Sequence, residues 1–136
     1  MSTLAEVRSA LAATLGTLAA GDVKSLKVFD RPPSSINALP AVYLGGRTGR
    51  RNSQDEGGEV SFPVVVVCST GDNPAGHDMI DRFVDGDLSI VDHLNGNRSL
   101  GTDDMTATTT GEWSDVMLEV GGVAHLCAEF VVEVQY

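Results

Sequence analysis

The stretch EVSFPVVVVCS, residues 59–69, limits the fold more than any other part of this chain. Four consecutive valines, Val64 to Val67, favour an extended backbone and leave no polar side for water. The run predicts a strand buried on both faces. Pro63 cannot donate to a ladder, so it should lie at a bulge or on an edge. The last segment, VAHLCAEFVVEVQY (123–136), has the contrasting pattern. Ala124, Leu126, Ala128, Phe130, Val132, Val134 and Tyr136 point one way, and His125, Glu129, Glu133 and Gln135 the other. Such alternation predicts a sheet with one face on the core and one meeting water or a neighbour.

The remaining segments fit around these two strands. Leu4, Val7, Leu11, Leu15 and Leu18 follow helical spacing, with Thr3 and Glu6 as a capping box and Gly21 as the stop. SLKVFDR (25–31) and PAVYLGG (40–46) read as strands. DNPAGHDMIDRFVDG (72–86) reads as a helix, with Asn73 as cap, Pro74 at the first position and Met79, Ile80, Phe83 and Val84 on one face. A shorter helix over 89–97 is capped by Ser89 and stopped by Gly96. DDMTATTTGEW (103–113) reads as a strand, and DVMLEV (115–120) forms a hairpin with the last strand through Gly121 and Gly122. The order is helix, three strands, two helices, three strands. Without a βαβ rhythm, it predicts an α+β fold: a mainly antiparallel sheet with an N-terminal helix and a central helix pair packed on it.

At 136 residues the chain is expected to be a single domain, 1–136, with a long flexible hairpin loop at 46–58. Hydrophobic residues make up 42%, enough for a core without staples, but no apolar run is long enough for a membrane span. Glu6 and Arg8 interrupt the apolar residues of the N-terminus, so no signal peptide is expected. Cys68 and Cys127 lie in apolar segments and read most simply as buried free thiols in a reducing compartment, with a disulfide the alternative if their strands are neighbours. The net charge of −10 argues against nucleic-acid binding, which needs clustered lysine and arginine. Residues 72–119 hold eleven acidic side chains against only Arg82 and Arg98, so many copies brought together would repel unless their contacts were complementary or screened.

The loop GRTGRRNSQDEGGE (46–59) places Arg47, Arg50 and Arg51 at one end and Asp55, Glu56 and Glu59 at the other. It is not a phosphate-binding loop, because no lysine follows the glycines and no helix opens after them. His77 and Asp81 stand four apart on a predicted helix with Asp78 beside them, the best candidate for a small metal- or ligand-binding site. A divalent site normally needs three or four ligands, and His93 and His125 lie elsewhere, so an exposed helix face is the simpler reading and no metal or cofactor is expected. The Asp103–Asp104 pair would point to opposite faces of a strand. No serine elbow is present and neither cysteine has a histidine nearby in sequence, so no enzyme is expected. Trp113 reads as core or rim packing.

In its layout the chain resembles the tail terminator (tail completion) proteins of long-tailed bacteriophages. The resemblance runs nearly end to end. After the amphipathic helix come LKVFDRPPSSINALPAVYLGG, the Gly/Arg/Asp loop and FPVVVVCS. AGHDMIDRFVD and LSIVDHLNGNRSLG then resemble the family's helix pair and following loop, and GGVAHLCAEFVVEVQY its last strand. The order of these segments, rather than any strict motif, carries the match. Pro63 in the third strand and His125 after the glycine turn depart from the pattern.

The resemblance implies a structural virion protein at the head-proximal end of the tail, assembled in the host cytoplasm. It implies a ring, in the family usually of six copies, that caps the tail tube, stops tube growth and offers a surface to the head connector. The implied partners are other copies of the chain, the tube protein and the connector or neck protein, while DNA passes through without specific binding. A ring needs two complementary patches on each copy. The six charged residues of the loop are candidates for such a contact, and acids of 72–119 lining the hole would repel phosphates. Another head–tail joining protein, or a domain centred on His77, Asp78 and Asp81, are the alternatives.

Overall fold

In the computed structural model, residues 3–20, 22–23, 26–51 and 57–136 are described. The fold is α+β, with one six-stranded mixed sheet. The elements run α1 (Leu4–Gly16), β1 (Lys27–Phe29), β2 (Ala41–Leu44), β3 (Thr48–Arg51), β4 (Gly58–Thr70), α2 (Pro74–Asp85), α3 (Ile90–Asn95), β5 (Thr106–Val120) and β6 (Val123–Gln135). The strands lie in the order β1-β2-β4-β6-β5, with β3 also paired to β4.

β4 occupies the middle of this sheet. On the helix-covered face, Val64 and Val66 join Phe62, Phe130, Val132 and Phe83 in the main core. On the other face, Val65 and Val67 pack with Tyr43, Cys127 and Val120, and Ile36 closes over them. The valine run is therefore buried from both sides. The second cover comes from residues 30–40, which cross that face between β1 and β2. Because this segment crosses over instead of turning back, β1 and β2 pair in parallel, while every other pairing is antiparallel. This one parallel pair makes the sheet mixed, where a mainly antiparallel sheet is expected from the sequence.

Pro63 is accommodated by a break in the neighbouring column of strands. β2 pairs with Val64–Val67 and β3 with Gly58–Ser61, leaving Gly45 to donate its N–H to the Pro63 carbonyl at 2.7 Å. In an antiparallel ladder a residue's N–H and C=O face the same neighbour. The N–H that proline lacks is thus missing where one partner strand has ended and the next has not begun. The ladder's irregularity lies elsewhere, between Val67 and Ser69.

The helices keep their expected caps at the N-terminal ends. Thr3 Oγ1 accepts from Glu6 N–H, Asn73 Oδ1 from Gly76 N–H and Ser89 Oγ from Asp92 N–H. α1 ends at Gly16, before the expected stop at Gly21, which lies outside the described residues. Thr17 turns its hydroxyl back onto the Thr14 carbonyl (2.7 Å), and His93 Nε2–H donates to the same carbonyl (2.8 Å), tying α3 to the end of α1. Gly76 lets α2 settle on the sheet, since a Cβ there would run into the Ser69 side chain.

The C-terminal half holds two strands rather than three. Residues 103–105 form the approach to β5, so Asp103 and Asp104 lie in a turn. β5 then runs through both predicted strands as one. Thr109 pairs with Val132 and Trp113 with Phe130, so Thr110, Gly111 and Glu112 all face the single residue Val131. Gly111, with φ at +83°, absorbs this bulge without breaking the strand.

Cys68 and Cys127 are free thiols buried in the two separate clusters on either side of the sheet. Burial pushes the Cys68 thiol up to about 12 and the Cys127 thiol up to about 11. Both should therefore resist a thiol reagent at pH 8 in the folded protein and react fully once denaturant unfolds it. Rapid labelling of the native protein would contradict this packing.

Candidate assembly surface

The arginines expected in a flexible loop fall partly on a strand. Thr48–Arg51 pair antiparallel with Gly58–Ser61, which makes a hairpin of most of the stretch. Residues 52–56, which include Asp55 and Glu56, lie outside the described residues. Two glycines allow the strands to approach closely. A Cβ at Gly49 would strike the Glu59 carbonyl, and one at Gly58 would strike the Arg50 carbonyl. Gly58 and Tyr136 also exchange backbone hydrogen bonds at 2.8 and 3.0 Å, which fixes the loop-side end of the hairpin to the residue after β6.

The pleat then sorts the charges. Arg50 stands opposite Glu59 on the face away from the helices, with Nη2 3.6 Å from Oε2. Their side chains are 76% and 55% exposed, so the pair contributes only about 0–1 kcal/mol. Gly49 and Arg51 alternate to the helix side. There Arg47 and Arg51 line an open groove with Thr3, Leu4, Val60 and Tyr136. Arg47 and Arg51 have no ion-pair partner among the described residues. All four residues of β3 are exposed, and among the described residues the strand pairs only with β4. Its outer edge is open.

On the opposite side the sheet ends at β5, which among the described residues pairs only with β6. Near its start the Ala107 N–H is taken by the Arg98 carbonyl at 2.7 Å. Beyond the bulge, Trp113, Asp115, Met117 and Glu119 pair with Phe130, Ala128, Leu126 and Ala124, and so share the helix-side face. They lie past the cover that the helices give. Trp113 is 49% exposed and Met117 46%, among the most exposed large apolar side chains of the described residues. This differs from the core or rim packing expected of Trp113. The signal present in the sequence was the i, i+2 interleaving of Trp113 and Met117 with Asp115 and Glu119, but β5's position at the edge was not visible there.

The other candidates do not converge. His77 Nε2 lies 2.7 Å from Asp72 Oδ1, while Asp78 and Asp81 stand exposed along α2. Among the described residues no three His, Cys, Asp or Glu side chains gather in a way that could hold a metal ion. Arg82 forms a separate cluster with Asp22 and Asp87 at 3.0 and 2.9 Å, and its hydrogen bond holds the Asp87 carboxyl below the usual range. His125 is buried in the sheet with Nδ1 unpartnered. Compared with family models and with curated proteins, the sequence matches none.

The hairpin's geometry makes a direct prediction. Gly58→Val should lower stability by about 1–3 kcal/mol in chemical denaturation, because the β-carbon must push the Arg50 carbonyl away. Unchanged stability would mean that β3 does not lie where it is described.

Proposed function

We propose that this chain is a structural ring subunit of a phage tail, closing the head-proximal end of the tube and presenting a surface to the head connector. The observation that carries the reading is the pair of open edges on one sheet, β3 and β5. A subunit with two different docking edges can repeat head to tail, and such contacts close into rings when the rotation between copies allows it. The resemblance to tail terminator proteins supplies the biological setting, and a ring of six is the size it implies.

The charges suit this role. Arg47, Arg50 and Arg51 project from an exposed edge, and Glu59 offers a carboxylate beside them. Asp55 and Glu56 remain part of the proposed contact. Exposed ion pairs set register and partner choice, while buried apolar surface and backbone hydrogen bonds supply most of the affinity. All eleven acidic side chains of 72–119 are exposed. Those that turn toward the channel would repel the phosphates of passing DNA. Catalysis plays no part in this reading, since binding to copies and neighbours accounts for the whole function.

Replacing Arg50 and Arg51 together by glutamate should leave the folded monomer intact and block ring formation or the joining of tails to heads. Circular dichroism checks the first outcome, and counting infectious particles checks the second. Normal particles from that double variant would contradict the proposal. Raising salt should weaken assembly more than monomer stability, measured by sedimentation and thermal unfolding across one salt series. A ring seen at the last tube layer separates this role from that of another head–tail joining protein.

A further inference from the structure

The two open edges match each other in more detail than ring formation alone requires. Asp115 and Glu119 lie four residues apart on the helix-side face of β5, with Met117 between them. Arg47, one residue before β3, and Arg51, at its end, are also four residues apart and line the same groove, with Gly49 between them. Four residues of strand span about 13 Å, so both pairs of charges can meet at once. Gly49, at the centre, presents no side chain against the exposed Met117.

Strand direction selects how they meet. β3, β4, β6 and β5 alternate in direction, so the edges presented by β3 and β5 run oppositely. Copies related by rotation about an axis along the strands keep one polarity, which places β5 of one copy antiparallel to β3 of the next. Position along the edge is limited as well. β2 and β3 flank the same side of β4, and β1 stands one strand further out. A neighbour's β5 lying along β3 must end before it reaches β1. β5 ends at Val120, one residue past Glu119, and the chain turns back at Gly121–Gly122.

We propose that β3 of one copy adds to the free edge of β5 of the next, with Arg51 opposite Asp115, Gly49 opposite Met117 and Arg47 opposite Glu119. This contact rests on the ring reading and names the surface that makes the ring. Backbone hydrogen bonds join the two sheets, and the paired charges fix the register. The net charge of −10 is overcome locally because the basic edge of each copy meets an acidic edge.

In this register Thr48 and Leu118 stand opposite each other on the far face of the sheet. The full-length chain carrying Thr48→Cys and Leu118→Cys should give, on mild oxidation, a ladder of disulfide-linked multimers; the two native thiols are buried. Thr48→Cys with Val116→Cys, the pair that a parallel junction would bring together, should give none. Asp115→Arg with Glu119→Arg should weaken association by about tenfold, the effect of turning two exposed ion pairs repulsive. Adding Arg47→Glu and Arg51→Glu to the same chain should restore it. Absence of the ladder, a ladder from the Val116 pair instead, or failure of the rescue would overturn the contact. If the unaltered protein forms multimers and the ladder is absent, the contact alone is wrong. If the unaltered protein also stays monomeric at every concentration, the ring reading falls with it.

Discussion

Burial of β4 from both sides is the constraint on which the rest of the structure depends. A strand carrying four valines in a row cannot sit at a boundary with water, so the chain must supply two covers. Three helices form one, and the crossing segment 30–40 forms the other. The crossing makes β1 and β2 parallel, and Pro63 divides their side of the sheet into β2 and β3. The charged strand β3 is thus left as an edge by the same features that complete the core.

The other edge arises from β5 and β6. Together they form a long hairpin, and only its beginning is overlain by the α3 region. Past the bulge at Gly111 the strand leaves that cover, carrying Trp113 and Met117 into the open with Asp115 and Glu119 between and beside them. A long edge strand is a liability in a protein that works alone, and bulges and charges are common defences against unwanted pairing. Here the charges oppose those on the β3 edge of the same sheet, and in the proposed contact they would turn a general defence into a rule for choosing a partner.

Much of the fold was legible because its signals are local. The caps at Thr3, Asn73 and Ser89, the turn at Gly121–Gly122 and the alternation of β6 each depend on residues within a few positions. What escaped was set by contacts distant in sequence. The parallel β1–β2 pair needs Ile36 to reach Tyr43 and Val65 across the sheet, and nothing within residues 30–40 announces that path. The merging of two predicted strands into β5 depends on β6 holding register across three bulged residues. At the candidate assembly surface, the arginines and acids of 46–59 are legible because they are adjacent in the chain. Asp115 and Glu119 are not, because only strand order places them at an edge opposite Arg47 and Arg51.

The central claim is that this molecule acts by joining copies of itself through the two edges of its sheet. Electron microscopy of the assembled particle, at a resolution that follows individual strands across the junction, tests it most directly. The account predicts a closed ring around a channel, in which β3 of each copy lies antiparallel beside the last turn-proximal residues of its neighbour's β5. A particle joined through its helices, with both sheet edges left in solvent, would contradict it.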